Sequence, residues 1–193
     1  RDRSPSRGLG DVYKRQDPHD LVPFLGAALK ELRIWTDAAD TEQPDRTHED
    51  NIWISHMAIT CVNLTSLELE YALDVPSAGL ASFFAAMPQL KKLRVGREMN
   101  AVLGRDALTA ILTLPRVQDL SLDSPLNASF LEEFMSVKAP GEILPDLAKL
   151  DISVEDGASH AAAVLINAVS TVQELSVAFC PTIGEATTML HPA

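Results

Sequence analysis

The most regular feature of the chain is a six-residue phrase, apolar-x-x-Leu-x-apolar, that recurs six times. It reads LKELRI from Leu29, LTSLEL from Leu64, LKKLRV from Leu90, VQDLSL from Val117, LAKLDI from Leu147 and VQELSV from Val172. The starts lie 35, 26, 27, 30 and 25 residues apart; the fourth position is always Leu and the sixth is Ile, Leu or Val. Over the last four positions apolar and polar residues alternate with period two, as in a strand with one face in a core. Each phrase therefore predicts one short strand, with Leu32 and Ile34 inward and Arg33 outward in the first of them.

Between phrases the period changes. Leu80, Phe83, Phe84 and Met87 precede the third phrase, Leu108, Ile111, Leu112 and Leu114 the fourth, and Val164, Leu165 and Val169 the sixth. Spacings of three and four predict an amphipathic helix before each of these strands. Pro88, Pro115 and Pro145 each stand two residues before the next phrase. Proline lacks the N–H a helix would use and biases its predecessor toward extended backbone, so each marks a helix-to-strand turn. Two stretches stretch the period, AADTEQPDRTHEDN at 38–51 and SVKAPGE at 136–142, and both are expected to be surface loops.

A strand, turn, helix, turn unit of this length resembles the leucine-rich repeat family over about residues 21–190, most closely its ribonuclease-inhibitor-like and F-box-associated types. VQELSVAFCPTIG at 172–184 is similar to the cysteine-containing variant of that repeat. The asparagine such repeats place three positions after the strand's last apolar residue is missing; Asp37, Ala72, Glu98, Pro125, Glu155 and Cys180 stand there, so no continuous buried amide ladder is expected. The resemblance implies an α/β leucine-rich repeat solenoid, horseshoe-like, of about six strand-helix units, with parallel strands on the concave face and helices outside. One unit cannot bury its apolar face alone, whereas stacked units can.

Composition refines this picture. A 46% hydrophobic and 22% charged chain is globular, and 5% aromatic content predicts an interior filled by Leu, Ile, Val and Ala. Residues 1–16 stand apart: SPSRGLGDVYKRQ at 4–16 resembles a translated library adaptor, and the segment holds five basic and two acidic residues. Excluding it as non-native leaves 17–193 as the repeat domain, expected to be a fragment without a C-terminal cap. Its net charge is −14, against −11 for the whole chain. Such an acidic surface disfavours nucleic acid and anionic membranes as partners. No apolar run reaches the length of about 20 residues that a membrane-spanning helix needs.

No catalytic arrangement emerges. His19, His48, His56, His160 and His191 include no i, i+4 pair of a helical zinc site. Asp151, Ser153, Glu155 and Gly157 begin like a calcium loop, but the glycine falls one position late and Ala162 replaces the bidentate acid. There is no GxSxG and no phosphate-binding GxxxxGK[ST]. Cys61 and Cys180 fall in different units and are expected to be buried thiols. Asn63-Leu-Thr65 and Asn127-Ala-Ser129 are glycosylation sequons, relevant only to a secreted chain. The chain is accordingly expected to be no enzyme and to need no cofactor or metal.

What remains is the surface the strands present together. Its outward positions supply the candidate partner-binding residues: Arg33, Trp35, Glu68, Glu70, Lys92, Arg94, Asp119, Asp123, Lys149, Asp151 and Glu174. Lys92 and Arg94 are flanked by acids on both sides, which gives either self-pairing for solubility or a charge-patterned groove for a protein ligand. Trp35 is the candidate aromatic anchor. The resemblance implies a cytoplasmic or nuclear protein-protein interaction module, the substrate-recognition repeats of an F-box-like ubiquitin-ligase receptor. A Skp-type adaptor would then be engaged through an F-box preceding residue 17. A stand-alone repeat regulator or scaffold of a GTPase or signalling protein is the alternative, and the non-catalytic part of a larger enzyme is a third.

Overall fold

The computed structural model of the chain describes residues 25–35, 47–70, 75–100 and 102–180. Strands and helices alternate there as β1 (Glu31–Trp35), α1 (Thr47–Thr60), β2 (Ser66–Glu70), α2 (Ser77–Ala85), β3 (Lys92–Val95), α3 (Arg105–Leu112), β4 (Asp119–Leu126), α4 (Ala128–Val137), β5 (Lys149–Glu155), α5 (Ser159–Ala168) and β6 (Glu174–Cys180). The six strands form one sheet in the order β1-β2-β3-β4-β5-β6. Every pairing is parallel.

The phrase fixes the register. Its invariant leucines lie side by side across the sheet, Leu32 beside Leu67, Leu93, Leu120, Leu150 and Leu175. A one-residue slip would turn every such leucine to solvent, so the pattern specifies the pairing strongly. Each junction also repeats one hydrogen-bond pair. The carbonyl of Lys30 accepts from the N–H groups of Thr65 and Ser66 at 2.8 and 3.0 Å, and those of Thr65, Lys91, Gln118 and Ala148 do the same for the next unit.

Among the described residues the helices pack on one face of the sheet, and their buried residues merge with the inward strand residues into one core. Leu90 N–H bonds to the Met87 carbonyl and Leu147 N–H to the Leu144 carbonyl, closing turns around Pro88 and Pro145. Before Pro145, however, Leu144 has φ 41° instead of extended backbone, and a 3-10 turn rather than a helix leads into it. Neighbouring units are further tied by side chains. Ser77 at the start of α2 accepts from the Ala107 N–H in the first turn of α3 at 3.1 Å. The Arg116 guanidinium donates to Gln89 at 2.7 Å, turn to turn, and Arg105 of α3 pairs with Glu133 of α4.

Several expectations are corrected. The stretch 38–51 is not one loop, because Thr47 to Asn51 already belong to α1; residues 38–46 lie outside the described ones. Helix α1 is anchored by Ile54, Met57 and Cys61, spaced three and four apart, and its polar first turns are tolerated because only that stripe needs burial. Within 136–142, Ser136 and Val137 close α4 and Pro140–Glu142 form a 3-10 turn. Val164 is exposed, and Ala161, Ala162, Leu165 and Val169 make the buried stripe of α5 instead. The interior is not purely aliphatic: Phe83 and Phe84 of α2 meet edge to face at 5.2 Å, and Phe130 and Phe134 of α4 stack at 5.7 Å. Large side chains on α2 and α4 thus alternate with Ala-, Leu- and Ile-lined α3 and α5.

Strand β4 outruns its phrase. Its partners step from Leu122↔Ile152 to Leu126↔Val154, so two extra residues bulge out on β4 around Pro125. Proline is tolerated at such an irregularity because the missing N–H is not needed by the ladder. Ser124 stays on the inward phase of β4's unbroken alternation, and its hydroxyl is the one buried side-chain polar atom without a hydrogen bond among the described residues.

Candidate binding face

The second face of the sheet carries no helix among the described residues. All-parallel sheets nearly always have both faces covered, so an open polar face is the feature of this fold that calls for a function. Its positions follow from the phrase: when the leucines point into the core, the residues between them point out. In rows across β1 to β6 these are Glu31, Ser66, Lys92, Asp119, Lys149 and Glu174, and then Arg33, Glu68, Arg94, Ser121, Asp151 and Ser176.

The charges pair across neighbouring strands. Arg33 meets Glu68 at 3.0 Å, Lys92 meets Asp119 at 3.5 Å and Lys149 meets Glu174 at 3.0 Å. Arg94 stands at the centre of the largest group, 3.7 Å from Glu68, 3.3 Å from Glu70 and 3.8 Å from Asp123. Buried Gly96 follows β3 directly, and its N–H donates to the Leu69 carbonyl of β2 at 2.7 Å. The Ser121 hydroxyl donates to Asp151 at 3.4 Å. The Lys149 ammonium is held above its ordinary pKa, first by its hydrogen bond to Glu174, then by the charges of Glu174, Asp119 and Asp151.

The structure therefore gathers ten of the candidate residues on one face. Trp35 ends β1 beside Glu70, and its side chain lies outside the described residues. Glu155 at the end of β5 also faces outward; it was hidden to sequence reasoning because the phrase ends before it. Counting it and Glu31, the described residues of the face carry eight carboxylates against four basic side chains, all four of which are in ion pairs. Of the cysteines, Cys61 is a buried thiol, whereas Cys180, at the end of β6 beside Glu155, is only half-buried.

Other chemistry is sparse. Among the described residues no group of three or more His, Cys, Asp or Glu is placed to hold a metal ion. No helix among them is long and apolar enough to cross a membrane. A shallow groove between α2 and α3 is lined by Ala81, Ala85 and Pro115 together with Ser82, Asp106 and Thr109. No family model matches the chain. No curated protein matches it either.

Proposed function

We propose that the chain is a leucine-rich repeat solenoid whose open strand face is concave and binds a protein partner bearing basic side chains. The observation that carries this reading is the uncovered parallel sheet with a twofold excess of carboxylates over cations in register across six strands. Ion pairs at such exposed positions are individually worth only about 0 to 1 kcal/mol, so a partner's lysine or arginine can exchange with them at small cost. Complementary charge of this kind supplies specificity and association rate more than raw affinity. Small residues on the face, Ser66, Ser121, Ser153 and Ser176, leave room for incoming side chains.

The finer placement, as substrate-recognition repeats of an F-box-like ubiquitin-ligase receptor, rests on the repeat resemblance. A full-length transcript encoding a helical F-box of the usual size ahead of residue 17 supports it; a complete transcript without one removes it. The binding reading is tested by peptide display against residues 17–193, with the double variant Asp123→Lys, Asp151→Lys as a parallel target. Peptides enriched for Lys and Arg that lose binding to the variant are the expected result. Peptides that bind both targets equally well contradict it.

A further inference from the structure

The two sequons fall in different surroundings, and the difference decides which one can carry a glycan in the folded chain. Asn63 and Thr65 are both committed to the preceding unit. The Asn63 Nδ2, the atom a sugar would occupy, donates to the Ala27 carbonyl at 3.0 Å, and the Thr65 hydroxyl donates to the Lys30 carbonyl at 3.0 Å. Leu64 between them is fully buried, and Asn63 itself is half-buried. A glycan on that nitrogen would have to sit at the junction of two stacked units.

Asn127 and Ser129 are both exposed. Asn127 is the N-cap of α4, where its Oδ1 accepts from the Phe130 N–H at 2.8 Å. The Ser129 hydroxyl donates to that same oxygen at 2.9 Å, closing the sequon on itself. Neither bond uses Nδ2, so a sugar on that atom leaves the cap and the helix in place.

We infer that Asn127, and not Asn63, is the N-glycan acceptor of the folded chain whenever it is carried past an oligosaccharyltransferase. The donor is an oligosaccharide on a lipid pyrophosphate. Transfer forms the bond from Asn127 Nδ2 to C1 of the first sugar and breaks the bond from C1 to the pyrophosphate oxygen. The lipid pyrophosphate leaves, and the amide proton passes to a base of the transferase. The site is independent of the binding face, on which neither Asn127 nor Ser129 lies, but it excludes the ubiquitin-ligase reading for any chain that carries the glycan, because that reading places the chain in the cytoplasm or nucleus.

The test is secretion of the full chain behind a cleavable leader from mammalian cells, with glycan occupancy read by mass spectrometry on the soluble, protease-resistant protein before and after peptide N-glycosidase. One glycan at Asn127 is expected, unchanged by Thr65→Ala and abolished by Ser129→Ala. Ser129→Ala is the decisive variant because it retains the Asn127 cap, whereas Asn127→Gln removes cap and acceptor together. A glycan that survives Ser129→Ala, occupancy of Asn63 in the folded fraction, or secreted protein with no glycan at all overturns the assignment.

Discussion

Arg94 and Leu120 sit on opposite faces of adjacent strands, and the two faces differ sharply in what one side chain is worth. Leu120 is completely buried, so Leu120→Ala is expected to cost about 2 to 5 kcal/mol through lost transfer energy and a residual cavity. Arg94, 44% exposed among three carboxylates, is expected to cost under about 1 kcal/mol as Arg94→Ala in urea denaturation. Equal losses for the two would mean that the face is structural. Lys149 offers a second check. Because its folded pKa is raised, its pairing with Glu174 stabilises the fold fully below the unfolded lysine pKa and is lost as pH rises through the folded one. Titrating the ammonium by NMR should show Lys149 deprotonating at lower pH in Glu174→Gln than in the parent protein; no change would mean the pair is absent in solution.

At the scale of elements, strands were the most legible part of the sequence, since a period of two with an invariant Leu leaves one register. Helices α2 and α3 were legible for the same kind of reason. The start of α1 was not: its first turns are polar, and a helix needs only one apolar stripe. Nor was the bulge in β4, because Asp123-Ser124-Pro125 reads locally as a turn and only pairing with β5 makes it strand. The packing of unit on unit is testable at Gly104, whose φ of −71° suits any residue. Gly104 is the N-cap of α3, where alanine is already a poorer cap than glycine, and an added Cβ would also lie 2.8 Å from the Ser77 hydroxyl and 2.9 Å from the Ser77 Cβ. Gly104→Ala should therefore destabilise, and Ser77→Gly should recover part of that loss in a double-mutant cycle; additive effects would contradict the contact. Strand β6 provides the contrast within the sheet. Leu175 and Phe179 share the register of buried Leu150 and Val154 yet are 49% and 56% exposed, so Leu175→Ala is expected to cost well under half of what Leu120→Ala costs in the same denaturation assay.

For the molecule as a whole, the chain behaves as one unit repeated, with the same hydrogen-bond pair at each of its five junctions and charges placed by the same rule on each strand. Within the phrase, sequence alone identified which residues would face outward, because the alternation dictates the face; Glu155, beyond the phrase, it missed. It left open whether they pair with each other, since that depends on neighbours 25 or more residues away being brought into one row. The pairing and the carboxylate excess together are what turn a solvent-facing sheet into a proposed docking face, and they predict binding that weakens as salt shortens the Debye length below about 8 Å. The most direct measurement is NMR chemical-shift mapping on the isotope-labelled chain with a display-selected Lys/Arg-rich peptide. Shifts concentrated at Glu68, Arg94, Ser121 and Asp151, and diminished by added salt, are the predicted result; shifts concentrated on the outer surfaces of α1 to α5 would contradict the account.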